Sequence, residues 1–239
     1  MKPTPRTSTR KPARSPRKPA PPRAEGESKR DATRKRLLDR ALALFQNKGV
    51  EATTMRDIAK AAGMSLGAAY YYFPSKEALV FAYYEDNQAD LEQLAASATG
   101  STREQLGTIF HGKLETIRPQ RKMLAAIVQR LVDPSDPVSA FSAQTRAVRD
   151  HAMGVIERVL AGSGLPAEVR PLAVRALWLL QMAMLLVYVN DDSPNQGRTH
   201  GLVDDALDMI VPLLPVLATP MGTALAERVT SALARAHII

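Results

Sequence analysis

Along this 239-residue chain the apolar positions recur at helical spacing from residue 28 onward, and strand-like alternation is nowhere sustained, so the pattern predicts an all-α fold. Leu38, Leu42 and Phe45 fall on one face of a first helix that Ser28 would cap, with Asp31 three residues on and Gly49 just past its end. A shorter helix opens at Thr53 or Thr54, turns Ile58, Ala61 and Ala62 inward, and stops at Gly63. Ser65 then caps a third helix of barely two turns, which must end before Pro74. A fourth, capped by Ser75 with Glu77 in its first turn, runs through Leu79, Val80 and Tyr84 towards Leu94. Past Gly100 longer helices follow at 102–117, 121–132, 137–161, 166–190, 200–217 and 220–237. Pro137, Pro166 and Pro220 stand where a first turn tolerates proline, and Gly162, Gly164, Pro194 and Gly197 mark breaks. Pro212, inside a helix, should kink it.

The most apolar stretch, residues 172–189, is interrupted by Arg175 and Gln181 and falls short of the roughly 20 residues a membrane span needs. It reads as a buried helix, apolar on every side, whose surplus surface calls for a partner helix.

Charge divides the chain further. The formal net charge is +8, yet residues 1–24 alone hold eight basic groups (Lys2, Arg6, Arg10, Lys11, Arg14, Arg17, Lys18 and Arg23) and no acid, so the remainder is neutral overall. With seven prolines and nothing to bury, residues 1–27 are expected to form a disordered basic tail. Within the neutral remainder, residues 28–82 carry ten Lys or Arg against five Asp or Glu, and that local excess points to a polyanion reader.

Residues 53–79, TTMRDIAKAAGMSLGAAYYYFPSKEAL, place two short helices around a glycine-containing turn. This is the layout of a helix-turn-helix whose second helix enters the major groove. Ile58, Ala59 and Ala62 are apolar where the first helix must pack, and Gly67, Ala68 and Ala69 keep the second slim enough to approach base edges. The segment resembles the DNA-binding domain of the TetR/AcrR family at Thr54, Ile58, Ala59, Ala62, Gly63, Ser65, Gly67, Tyr70, Tyr72, Phe73, Lys76, Glu77 and Leu79, preceded by a helix ending at Phe45 and Gly49.

The resemblance implies a three-helix helix-turn-helix DNA-binding domain, residues 28–78, followed by a larger helical effector-binding and dimerisation domain, residues 79–239. It implies that Thr54 meets a phosphate with Thr53 as cap. Ser65, Leu66, Gly67 and Ala68 would face the groove, Tyr70 and Tyr71 would reach phosphates or bases, and Lys76 would pair with a phosphate. Leu66 offers no hydrogen bond to a base, so readout is expected to be partly indirect. The resemblance also implies a homodimer on a palindromic operator, with Leu172, Leu179, Ala183, Leu186, Leu207, Ile210 and Leu214 as candidate interface residues. A small-molecule effector would be taken up in a cavity lined by Phe110, Leu114, Met123, Ile127, Phe141, Trp178, Met182 and Met184, with His111, Arg118 and Gln181 as candidate anchors for a polar group.

No zinc-binding HExxH, phosphate loop, GxSxG or cysteine is present, so neither enzyme chemistry nor a cofactor is expected. His200 and Asp204 share a helix face at a metal-compatible spacing but read better as a solvated first turn. The lack of cysteine fits a reducing cytoplasm, and no membrane partner is expected. The competing reading is an architectural protein that binds DNA non-specifically through its basic tail.

Overall fold

A computed structural model describes residues 24–235, and all regular structure among them is helical. The basic tail lies, up to residue 23, outside the described residues. Helix α1 (Ala24–Lys48) begins earlier than expected, which places Ser28 inside the helix instead of at its cap. Helices α2 (Met55–Ala61) and α3 (Leu66–Tyr72) follow, and α1 packs on α2, α4 and α6. Leu37, Leu38, Ala41 and Phe45 of α1, Ile58 and Ala59 of α2, Ala69 of α3 and Leu79 and Val80 of α4 close a small core.

Helix α4 (Lys76–Ser97) starts in this head and continues against α5 (Thr102–Ile117) and α8 (Arg146–Ala161). It therefore crosses the boundary expected at residue 78 and joins the two halves through one continuous core. Helix α5 has the expected bounds, opened by a capping box between Ser101 and Glu104. The helix expected over 121–132 is two, α6 (Arg121–Ala126) and α7 (Val128–Val132), broken at Ile127.

The largest departure is at 137–161, where only α8 is helical. Residues 133–145 form turns instead, because their side chains take up the backbone groups a helix would need. Ser139 Oγ donates to the Leu131 carbonyl, Ser142 Oγ to that of Pro137 and Thr145 Oγ1 to that of Ser139. Arg149 closes the loop by donating to the carbonyls of Ala140 and Ser142.

Helix α9 (Arg170–Asn190) starts four residues later than Pro166 suggested. By length and composition it could cross a membrane, but it packs against α8, α6 and α10 (Gly197–Ile210), burying Val174, Leu177, Trp178, Gln181, Met184 and Tyr188. Pro212 does interrupt its helix: Val211–Leu213 tightens to a 3-10 turn before α11 (Leu214–Leu217), and α12 (Pro220–Arg235) follows. Of the interface candidates, Leu179 and Ala183 are exposed, Leu172, Leu186 and Ile210 are half-buried, and Leu207 and Leu214 are buried in the chain's own core. Leu207 and Leu214 are thus interior residues. Exposed Val187 on α9, with Leu202, Met209, Leu213 and Val216 on α10 and beyond, extends the apolar surface in their place.

Candidate nucleic-acid interface and internal cavity

The reading head is built by local chemistry. Gly49 and Gly63 hold positive φ, +83° and +69°, which lets α1 and α2 end in left-handed turns that a side chain would strain. Thr54 caps α2: its Oγ1 accepts from the Asp57 amide at 3.2 Å, and Asp57 Oδ2 accepts from the Thr54 amide at 3.0 Å. The Lys48 ammonium, 2.8 Å from Asp57 Oδ2, and then Thr54 hold that carboxyl well below the usual carboxylate range. Ser65 caps α3 by accepting from the Ala68 amide. Only Ala69 of α3 is fully buried, while Gly67, Tyr70 and Tyr71 are exposed. Nothing lies within 4 Å of where a Gly67 Cβ would stand, so the chain's own packing does not require glycine there. Tyr70 is 47% exposed and Tyr71 69%, which is unusual for aromatic side chains at neighbouring positions.

The structure brings Thr54, Ser65, Gly67, Tyr70 and Tyr71 to the exposed side of the head. Leu66 and Ala68 are half-buried, and Leu66 packs against the core. Two expected contacts are corrected. Thr53 is neither the cap nor reachable, because it is 1% exposed and its hydroxyl donates to the Gly49 carbonyl at 2.7 Å. Lys76 spends its ammonium on the carbonyls of Val50 at 2.8 Å and Glu51 at 3.3 Å, tying the α1–α2 loop to the start of α4. Lys76→Met should therefore lower folding stability by about 1–3 kcal/mol in urea titrations and leave the salt dependence of DNA binding unaltered. A salt slope shallower by about one unit would return Lys76 to a phosphate.

Sequence reasoning missed Arg30, which stacks over the Tyr71 ring at 5.6 Å, and the exposed Arg56 and Lys60 of α2. Among the described residues Arg30, Arg56 and Lys60 have no acidic partner. The local basic excess was the signal for them, but only the fold shows which of the ten cations are already paired, as Lys48 is.

A cavity of about 280 Å³ lies in the helical body between α4, α5, α9 and residues 131–149. Leu114, Phe141, Trp178, Gln181 and Met182 line it, as expected, and Phe141 meets Trp178 edge-on at 5.5 Å. Phe110, Met123 and Ile127 do not; at 1%, 0% and 2% exposure they are plain core. Nor does His111, which faces α10. Its Nδ1 lies 2.8 Å from His200 Nδ1 and its Nε2 3.0 Å from Asp204 Oδ1. His200 Nε2 meets Glu115 at 3.1 Å, so the two stacked rings, joined through their Nδ1 atoms and each facing a carboxylate at Nε2, clamp α5 to α10. Arg118 pairs with Glu115 outside the cavity. The α4 contribution, Tyr83, Tyr84, Asn87, Gln88 and Leu91, was missed because the expected lining was drawn only from residue 110 onward, although residues 79–97 fall in the expected effector-binding half. Burial pushes the Tyr83 hydroxyl up to about 12, so it is a neutral donor at neutral pH.

Comparison with known proteins supports both halves. The profile described as bacterial regulatory proteins, tetR family, matches residues 37–83, and the one described as tetracyclin repressor-like, C-terminal domain, matches residues 105–224. The HTH-type transcriptional repressor KstR2 of Rhodococcus jostii is 32% identical over 143 residues, covering 57% of this chain and 70% of that protein. Further curated relatives are matched over less of their own length, for example 29% and 48%. The solved TetR transcriptional regulator from Nitrosomonas europaea superposes with a TM-score of 0.60 at 18% identity, covering 75% of this chain and 98% of that one. FadR from Bacillus subtilis, solved in complex with stearoyl-CoA, gives 0.58 at 17% identity, covering 72% and 96%. These structural likenesses speak for the fold. Joined to the profiles and to a capped helix-turn-helix with an open, tyrosine-bearing face, they show that the chain belongs to the TetR family and is a DNA-binding transcriptional regulator.

Proposed function

We propose that the protein is a homodimeric repressor that holds a palindromic operator with two copies of α3 and lets go when a small molecule occupies the α4–α5–α9 cavity. The observation that carries this reading is the double position of α4. One end begins directly after the reading helix, where Lys76 grips the α1–α2 loop, and further along Tyr83, Tyr84, Gln88 and Leu91 wall the cavity. Arg130 adds a second link from the cavity side: it bonds Asp136 at 2.7 Å and Glu51 at 2.9 Å, and lies 3.8 Å from Glu77. A ligand that displaces residues 131–149 or α4 thus acts on both anchors of the head. The FadR structure solved with stearoyl-CoA supports a largely apolar effector.

Dimerisation is supported by surface that the monomer leaves uncovered. Ala176, Leu179, Ala183 and Val187 form one exposed face of α9, and Leu202, Met209, Leu213 and Val216 form one on α10 and its continuation. Paired across a two-fold axis, these helices would make a four-helix interface and set two heads on half-sites about 34–36 Å apart per helical turn. The test combines light scattering with footprinting on the DNA upstream of the gene. Val187→Glu with Met209→Glu should give a folded monomer that no longer protects two half-sites. For the switch, compounds that change Trp178 emission should release DNA over the same concentration range. Saturated emission with the footprint intact would remove the effector from the account.

A further inference from the structure

The cavity wall is apolar but carries an unusual set of unanswered polar groups. Tyr83 Oη, Gln88 Oε1 and Gln181 Nε2 are buried with no hydrogen-bond partner, and all three residues line this one space. Native interiors leave few such atoms unpaired, so their gathering around one cavity marks where a partner belongs. Gln181 and Tyr83 are each 5% exposed, and the atoms left open on them are donors.

The charges lining the space lean the same way. Lys113 and Arg149 are among the lining residues, and no Asp or Glu is. Arg149 is engaged by the carbonyls of Ala140 and Ser142. The Lys113 ammonium has no ion-pair or hydrogen-bond partner among the described residues. Burial pushes it down to about 8, opposed by the more distant charge of Asp90 on α4. An unpaired ammonium in an apolar wall repels cationic ligands and attracts an anion.

Building on the effector reading above, we infer that this cavity takes an acidic amphiphile. An apolar body lies against Leu91, Leu114, Phe141, Trp178 and Met182, and a carboxylate answers Lys113 with the Tyr83 hydroxyl and Gln181 amide as further donors. Gln88 Oε1 remains as an acceptor for a hydroxyl or amide on the same molecule.

Trp178 is the single tryptophan of the chain and lines the cavity, so its emission reports occupancy without a label. Full-length protein is titrated with decanoate, decanol and decylammonium, which share a tail and differ in head charge. Decanoate should bind roughly tenfold or more tightly than decanol, and decylammonium more weakly than either. Lys113→Met should erase the preference, bringing acid and alcohol to similar affinity while the alcohol still binds. If wild-type protein binds all three alike, or prefers the amine, the acidic-ligand assignment falls and the cavity as effector site stands. If none of them perturbs Trp178, both the assignment and the effector reading beneath it fall.

Discussion

Replacing Tyr70 and Tyr71 together by phenylalanine should weaken operator binding roughly 100-fold while leaving the melting temperature unchanged. The rings are 47% and 69% exposed, no hydrogen bond ties their hydroxyls to the described residues, and the core beneath them is closed by Ala69 and Phe73. Removing the hydroxyls therefore takes nothing from folding. On the DNA each would donate to a phosphate or base edge, and hydrogen bonds to charged groups contribute about 1.5–3 kcal/mol each. Two at the lower figure give about 3 kcal/mol, which is the expected hundredfold. Fluorescence anisotropy on the footprinted sequence reads the effect, with thermal denaturation as the control. Wild-type affinity in the double variant would mean that this face of α3 does not touch DNA.

The second large effect is on stability. Phe110→Ala should cost about 3–5 kcal/mol, since the side chain is 1% exposed in the core between α5 and its neighbours. For a chain of this size that is a fall of roughly 6–20 °C in melting temperature. Phe141→Ala offers the contrast. Phe141 is 40% exposed and rests edge-on against Trp178 in the cavity wall, so its removal should barely move the melting temperature and should alter Trp178 emission. Scanning calorimetry and emission spectra on the two variants separate core from lining. Equal melting temperatures would place Phe110 back in the cavity.

The contrast between those two phenylalanines shows where sequence reading ran out. Periodicity marks both as apolar and inward, but it does not say whether the inside they face is filled by the chain or left open. Phe110 and Leu114 share α5 at a spacing of one helical turn, yet only Leu114 reaches the space. His111 has the polarity of a ligand anchor but turns to His200, a residue far along the chain that no local pattern connects to it. The 133–145 segment misled for a different reason. Its residues are compatible with a helix beginning at Pro137, but hydroxyls of Ser139, Ser142 and Thr145 capture carbonyls first and hold it in turns. Thr53 was expected to cap α2 and Lys76 to meet a phosphate, and the fold spends both on its own backbone.

Interactions within a few residues were settled by the chain itself: the caps at Ser65 and Ser75, the left-handed ends at Gly49 and Gly63, the slim second helix of the motif and the all-helical class of the fold. Those features are local, so neighbouring residue types suffice to specify them. Which cations stay free, which apolar side chains line a void, and that α4 belongs to head and body at once were decided only when distant helices met. Each depends on how volume and hydrogen-bond capacity are divided among elements far apart in sequence, and that division exists only in the packed molecule.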